Sequence, residues 1–494
     1  MKCDILIASL PVSTLNHAPA APALLKACVE KVGLTARTAD LSQSFLLNQS
    51  HGSFESYDKD TQALQPNIDC HGMDLTKVND WVLSSIEKIK EIDPEYIGLS
   101  IFSYYMHRSA YLLSKALREA CPEIKIIIGG FGATQPASSL VGLVELRKIE
   151  SVMNFNDFMK KKGLCDHYIL GEGEDALVGF LLGENHAARK PEDEKLYDVP
   201  NSDFSDYDLL NYQYASKMLL PITGSKGCVR KCTFCDVPAK YGRFRYRTGK
   251  DIASEILELK EEHGVSDFAF TDSLINGSLS ALEEMTIELA DYNRRNPDDL
   301  IRWSGHYISR PKGQTPERIY QLMAESGAQG LAIGLESGSN RVLDAMLKKV
   351  KIEDVDWEME IFDRYRISTV MLIMFGFYNE TEEDFQETLD TIIRYQKYAA
   401  SGTLIRMELG HPLGITSETP LYTNQHALGI EINENNPLLW TAKDNPGLDF
   451  RERVRRRLVA QVVCDKLGIP TGLTSNQMRM MLITAQEIYG KATG

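Results

Sequence analysis

The sequence predicts a parallel α/β fold in two successive halves. Strand-like apolar runs alternate with helix-period stretches over residues 1–183, and the alternation restarts at residue 220 and continues to 425. Alternation of this kind argues for parallel sheets, doubly wound in the first half. A third observation marks the junction. The segment Cys228-Val-Arg-Lys-Cys232-Thr-Phe-Cys235 follows the apolar run that opens the second half.

The first half begins with a strand, Cys3–Leu10, and a loop holding Pro11, Asn16, His17 and Pro19. A helix over Pro22–Lys31 is stopped by Gly33. Tyr96–Phe102 reads as a buried strand, Met106–Ala120 as a helix, and Ile124–Gly129 as a strand running into Gly130. Asp166–Leu170 precedes Gly171-Glu-Gly-Glu174 and another helix. Residues 43–80, rich in Ser, Asn, Gln and Asp, show no period and read as a long loop. Residues 184–219 read as a linker. In doubly wound sheets, ligands sit beyond the carboxyl ends of the strands at the switch point. Glycines there let backbone amides approach a ligand, or simply make a tight strand-to-helix turn.

In the second half the strands are Met218–Thr223, Phe268–Thr271, Ile301–Ser304, Leu331–Leu335, Val370–Phe375 and Thr403–Met407. Helices over 279–295, 315–326, 338–347, 352–365 and 382–398 separate the later strands. Six strands with helices between them fit a partial (β/α)6 barrel. Residues 426–494 read as a small helical region.

At 494 residues the chain has room for about three domains. Its net charge of −15 argues against a broad nucleic-acid surface and points to a small-molecule or peptide substrate. No apolar run approaches the ~20 residues that span a bilayer. Two basic stretches stand out, Arg243–Lys250 and Arg451–Arg457, and the second reads as a solvated helix face. Nothing at the N-terminus resembles a secretory signal, so a reduced cytoplasmic location is expected. Cys3, Cys28, Cys70, Cys121, Cys165 and Cys464 are scattered and read as buried small apolar residues.

The triplet Cys228, Cys232, Cys235 carries the chemistry. A structural zinc site wants four ligands, often in two pairs, and no second pair exists. Three separate buried cysteines are the bland alternative. Three thiolates are one fewer than a closed [4Fe–4S] cubane takes. A cluster bound here keeps one iron open to a small molecule.

The loop Ile222–Cys228 through Phe234-Cys235-Asp236-Val237-Pro238 resembles the cluster loop of radical S-adenosylmethionine (SAM) enzymes. Tyr241–Arg247 with Asp251–Ile256, Gly334-Leu-Glu-Ser-Gly338, Phe375-Gly-Phe377, His411-Pro-Leu413 and Thr419–Tyr422 continue the resemblance in order. It implies SAM chelated by the open iron and cleaved to a 5′-deoxyadenosyl radical, with a flavodoxin- or ferredoxin-type reductant. Carried over residue by residue, it implies that Cys228, Cys232 and Cys235 hold the cluster and Phe234 packs near adenine. Asp272 would meet the SAM amino group, or else cap a turn. Arg310 would pair with the methionine carboxylate, or else form an ordinary salt bridge. Glu336 and Ser337 would meet ribose or the amino-acid portion, and Gly376 would give adenine room.

The first half is similar to the N-terminal Rossmann-like domain of cobalamin-binding radical SAM enzymes. The resemblance rests on Pro11, Pro22-Ala-Leu-Leu, Gly98-Leu-Ser-Ile-Phe, Ile128-Gly-Gly130 and Gly171-Glu-Gly-Glu174. It implies Gly129, Gly130 and Gly132 along a nucleotide tail, Ser103, Tyr104 and Tyr105 near the corrin, and His17 or His107 as possible face ligands. The DxHxxG signature is absent, and Gly130-Phe-Gly132 stands where members often carry Gly-Pro-His. Three functions follow as alternatives: cobalamin-dependent methyl transfer, another radical SAM reaction without cobalamin, or a non-catalytic SAM-binding regulator.

Overall fold

Short β-branched runs give the first sheet its strands, and their order fixes where a ligand can sit. The computed structural model describes residues 3–13, 15–66, 68–143, 153–184, 197–212, 217–410, 412–433 and 438–472. Two compact units result. The first takes the described residues up to 184 with Asp198–Ile222 and Glu258–Asp267; the second takes Tyr197, Thr223–Leu257 and the described residues from Phe268 onward.

The first unit runs β1 (Cys3–Ser9), α1 (Ala20–Lys31), β2 (Ala36–Asp40), α2 (Leu41–Asn48), α3 (Phe54–Asp60), α4 (Thr76–Ile92) and β3 (Pro94–Ser100). It continues α5 (His107–Ala120), β4 (Lys125–Gly129), α6 (Phe155–Lys161), β5 (His167–Ile169) and α7 (Gly173–Leu181). The five strands pair in the order β2-β1-β3-β4-β5, all parallel. The chain reverses direction across the sheet between β1 and β3, which makes that crevice the switch point.

Two sequence expectations fail here. Residues 43–80 are not a loop: they hold most of α2, all of α3, a 3-10 turn over Gln62–Leu64 and the start of α4. Helices of 8 and 7 residues are too short to display a period. They are nonetheless core elements, with Leu41, Phe45, Leu46 and Tyr57 buried and Phe45 edge-on to Tyr57 at 5.7 Å. The strand β2 went unread because Arg37 and Thr38 break its apolar run. Its end is pinned by Asp40, which accepts from Ser9 Oγ at 2.8 Å and Tyr212 Oη at 2.9 Å and caps α2. Residues 198–212, inside the stretch read as linker, dock on this unit through Lys26, whose Nζ lies 3.0 Å from both Asp203 and Asp206.

The strand β6 (Leu219–Ile222) leads along the chain into the cysteine loop. Then follow β7 (Ser225–Lys226), α8 (Val237–Tyr241), β8 (Arg245–Tyr246), α9 (Gly249–His263), β9 (Asp267–Phe270), α10 (Leu279–Arg295), β10 (Arg302–Ser304) and β11 (His306–Tyr307). Next come α11 (Glu317–Glu325), β12 (Leu331–Glu336), α12 (Asn340–Ala345), α13 (Ile352–Tyr365), β13 (Thr369–Ile373), α14 (Glu382–Arg394), α15 (Gln396–Ser401) and β14 (Leu404–Leu409). The remainder is α16 (Pro420–Thr423), β15 (Ile430–Ile432), β16 (Trp440–Ala442) and α17 (Phe450–Leu467). Strands β11, β12, β13 and β14 form a wholly parallel sheet in sequence order. A register shift between Gly334 and Glu336 interrupts the ladder of β12 at its carboxyl end. Among the described residues no helix is long and apolar enough to cross a membrane. Residues 473–494 of the expected helical region lie outside the described residues.

The basic stretch Arg451–Arg457 is not a solvated face: Arg453, Arg456 and Arg457 are buried. Arg456 sits 2.6 Å from Glu380 and 2.9 Å from Glu452. The Arg453 guanidinium lies 3.8 Å from the Trp440 ring centre and donates to the carbonyls of Leu438, Leu448 and Trp440. Apart from Glu452, one helical turn before Arg456, these partners lie far apart in sequence or offer only a backbone oxygen, so a charge run alone cannot show them.

Candidate functional site

Gly227, with φ of +81° and the Arg243 carbonyl where a Cβ would stand, lets the chain turn into the first cysteine. The hairpin β7–β8 closes the loop's base, with Ser225 opposite Tyr246 and Lys226 opposite Arg245. Thr233 N donates to Met346 O at 3.0 Å, and Leu421 N donates to Thr233 O at 2.9 Å. Cys232 is buried, and Cys228 and Cys235 are half-buried. Burial pushes all three thiols above their usual range, and each feels the charge of at least one of the others. Free of metal, the loop therefore holds neutral thiols.

Cations face the thiols. Arg230 and Lys348 both act on Cys228 and Cys232 to favour thiolate. Lys348 Nζ lies 3.1 Å from Glu336 Oε1 and 6.0 Å from the Phe234 ring centre. Glu336 ends β12 with φ of +69°, a left-handed conformation that is costly for a residue with a side chain. Its carboxylate in turn acts on Cys232 and Cys235. Phe234 packs against the buried cluster that contains Val342, Met346 and Phe377. Sequence reading missed Arg230 and Lys348. Arg230 lies inside the triplet and was visible there; nothing in the pattern tied Lys348 to Glu336.

Other expected residues point elsewhere. Asp272 is buried and accepts from Gly224 N at 2.8 Å and Ser225 Oγ at 2.6 Å, so its carboxyl clasps the strand entering the loop. These partners lie 47 and 48 residues away, so the bonds are not a cap of the turn that follows Asp272. Ser337 is fully buried, 3.3 Å from Thr388 Oγ1, and accepts from Ser339 N at 3.1 Å; its hydroxyl is used internally and is not offered to a ribose. At Gly376 the side-chain space is taken by the protein itself: a Cβ there would lie 2.3 Å from Arg453 Cγ. Among the described residues Arg310 forms no carboxylate salt bridge and its buried Nε has no hydrogen-bond partner; its Nη2 donates to Asn276 O at 2.5 Å and Gly277 O at 3.3 Å.

Burial raises the Asp272 carboxyl to about 7 from 3.8. A raised carboxyl favours the protonated folded state, so this group's stabilisation is complete below about pH 4 and lost as pH rises through about 7. Asp272→Asn keeps the shape and the acceptor for Gly224 N. Unfolding by urea between pH 4 and 8 should show a flatter pH slope in the variant; identical slopes would overturn this account.

In the first unit, Phe102, Tyr104, Tyr105 and Leu170 are 73%, 37%, 40% and 49% exposed beyond the carboxyl ends of β3 and β5. The Tyr104 and Tyr105 rings lie 4.5 Å apart. Exposed aromatics there suit a flat, largely apolar ligand. Two expected contributors are engaged by the protein. A Cβ at Gly130 would lie 2.5 Å from Ile101 O, and one at Gly132 would lie 2.7 Å from the Ser103 backbone. Those glycines admit the β3 loop, whereas Gly129 has only ordinary contacts at 3.5 Å or more. His107 is no face ligand: it is fully buried, bonded to Ser139 Oγ at 2.5 Å and Gly132 O at 2.7 Å, and burial lowers it to about 4. His17 Nδ1 bonds Ala18 O at 2.9 Å.

Residues 222–392 match the family model of the radical SAM superfamily. That stretch is similar to the radical SAM domain. An uncharacterized methyltransferase of Pyrococcus horikoshii is 23% identical over 63% of this chain and 66% of its own. Bacteriochlorophyllide d C-12(1)-methyltransferase of Chlorobaculum tepidum is 28% identical over 47% of this chain and 50% of its own. The chain thus spans between half and two-thirds of these curated relatives. The radical SAM methyltransferase TsrM of Kitasatospora setae, solved with tryptophan and a SAM analogue, aligns at 16% identity over 92% of this chain and 89% of its own, with a TM-score of 0.64. The cobalamin-dependent radical SAM enzyme OxsB, solved with aqua-cobalamin, aligns at 15% identity over 86% and 55%, with a TM-score of 0.56. These likenesses describe a shared mixed α/β fold with parallel sheets.

The donor set fits the family's cluster. Among the described residues no group of three His, Cys, Asp or Glu side chains is close enough to hold a single metal ion. A cubane instead spreads its thiolates over separate irons. Three thiols on one loop, facing tethered cations, suit that larger group.

Proposed function

We propose that this protein is a radical SAM enzyme whose Cys228, Cys232 and Cys235 hold a [4Fe–4S] cluster, and that it transfers a methyl group to an unactivated carbon of a small molecule or peptide with cobalamin. The observation that carries the reading is one short loop holding three buried or half-buried thiols, with Arg230 N 3.4 Å from Cys228 Sγ and the Phe234 ring centre 6.0 Å from the Lys348 that pairs with Glu336. Cluster and SAM together supply a 5′-deoxyadenosyl radical when bound, and cobalamin supplies a transferable methyl group. A flavodoxin- or ferredoxin-type donor provides the electron. In this reading residues 1–183 are the cobalamin-binding-type domain, 184–219 connect it to a partial (β/α)6 barrel over 220–425, and 426–494 follow.

The chain's own tasks are to position and to shield. Phe234, packed on the core, offers a ring beside the cluster loop. Lys348 and Glu336 form a fixed pair suited to the amino-acid portion of SAM. Arg310, already spending Nη2 on two carbonyls, retains a buried Nε for a ligand carboxylate. Asp272 holds the loop's entry rather than the ligand. The exposed Phe102, Tyr104 and Tyr105 support the cobalamin reading, as does the fold shared with TsrM and OxsB.

A second reading, radical SAM chemistry without cobalamin, has its own observation. Gly130 and Gly132 are filled by the protein's own backbone and His107 is locked. Anaerobic purification with cobalamin supplied separates the two. About four irons per chain and one corrinoid, with 5′-deoxyadenosine formed on reduction, are expected for the first reading. Iron without corrinoid selects the second. Protein that binds no cluster and leaves SAM intact overturns both.

A further inference from the structure

Arg230 is held in place by carbonyls, not by an acid. Its Nη1 donates to Lys349 O at 3.0 Å and its Nη2 to Ser309 O at 3.2 Å, so the loops after α12 and after β11 both grip it. Its backbone N approaches Cys228 Sγ at 3.4 Å. Arg310 acts on it electrostatically, and that guanidinium is likewise tied to carbonyls. Among the described residues neither arginine forms an ion pair with a carboxylate. The acid facing Arg310 is Glu358, whose Oε1 accepts from Tyr307 Oη at 2.8 Å and Tyr320 Oη at 2.6 Å and whose carboxyl burial pushes up.

This is an odd arrangement in a chain of net charge −15, where carboxylates are plentiful. Two like charges close together, partly buried and unpaired, are unfavourable unless a negative group completes them. Three thiolates around a cubane core supply that group. The oxidised cluster with three thiolates carries one net negative charge, and taking up one electron from a low-potential donor makes it two. A fixed cation beside it stabilises the reduced form more than the oxidised form.

We propose that Arg230, with Arg310 behind it, is the built-in counter-charge of the iron–sulfur cluster, and that Arg230 sets the cluster's reduction potential. It is a positioning residue for charge, not a ligand. The inference rests on the function proposed above, and the two can fail separately: no cluster overturns that function, while an unmoved potential overturns this inference alone.

The test is a redox titration of the reconstituted full chain, followed by electron paramagnetic resonance without SAM, so that no ligand carboxylate enters. Arg230→Gln keeps donors for the carbonyls and removes the charge; Arg230→Lys keeps the charge. The Gln variant should shift the reduction equilibrium about tenfold toward the oxidised cluster, about 59 mV more negative for one electron. The Lys variant should stay near wild type. Equal potentials in wild type and Gln variant, at equal iron content, overturn the proposal. Should the Gln variant lose its cluster, Arg310→Met, a change outside the cysteine loop, is read instead at matched iron content: a negative shift supports the proposal and no shift overturns it.

Discussion

Cys232→Ala is expected to abolish iron binding and SAM cleavage together. Cys232 is the buried member of the triplet, and its thiol is held neutral by burial while Lys348 and Arg230 pull toward thiolate. Its removal leaves two cysteines, too few for a cubane that already lacks a fourth protein ligand. Anaerobically reconstituted variant should carry close to none of the about four irons expected per chain, and 5′-deoxyadenosine should fall to the background of a protein-free control. Because the three thiols act as one unit, Cys228→Ala combined with Cys232→Ala should be no worse than either alone. Full iron content and undiminished SAM cleavage in the single variant would remove the basis of the proposed chemistry.

Gly376→Ala should cost about 3 kcal/mol of stability. The backbone there has φ of +76°, where an alanine costs ~1–2 kcal/mol, and the new methyl would overlap Arg453, a further ~1–3 kcal/mol. Arg453 cannot easily yield, since the Trp440 ring and three carbonyls hold it. A double-mutant cycle with Arg453→Ala isolates the overlap. Urea unfolding should show the two changes costing less together than their sum. Were Gly376 instead a space for adenine, the single variant would lose only the ~1–2 kcal/mol of backbone strain, the cycle with Arg453→Ala would be additive, and SAM affinity would fall.

The cysteine spacing and the strand-helix alternation were legible because each is local. Helices α10 and α13 follow the predicted ranges 279–295 and 352–365, long amphipathic segments with capped ends. What escaped was set by partners distant in sequence. Short helices in 43–80 gained their order from the core they cover, not from their own period. Ser337 and Gly376 looked like ligand positions because a small residue at a strand end serves a cofactor or a neighbouring helix equally well. Only the structure shows that Thr388 and Arg453 take those places. Arg230 was in plain view, yet its meaning came from two carbonyls on separate loops.

The hold of α17 on the parallel sheet has a practical bearing on how the protein can be dissected. The family match ends at residue 392, inside α14. Glu380, buried beside that helix, has its cation on Arg456, and Leu409 O takes a hydrogen from Arg457. A fragment trimmed to the matched stretch would strand that carboxylate in the interior and bare the apolar floor around Phe377 and Trp440. The smallest piece worth expressing for cluster chemistry therefore runs past the end of α17 at Leu467.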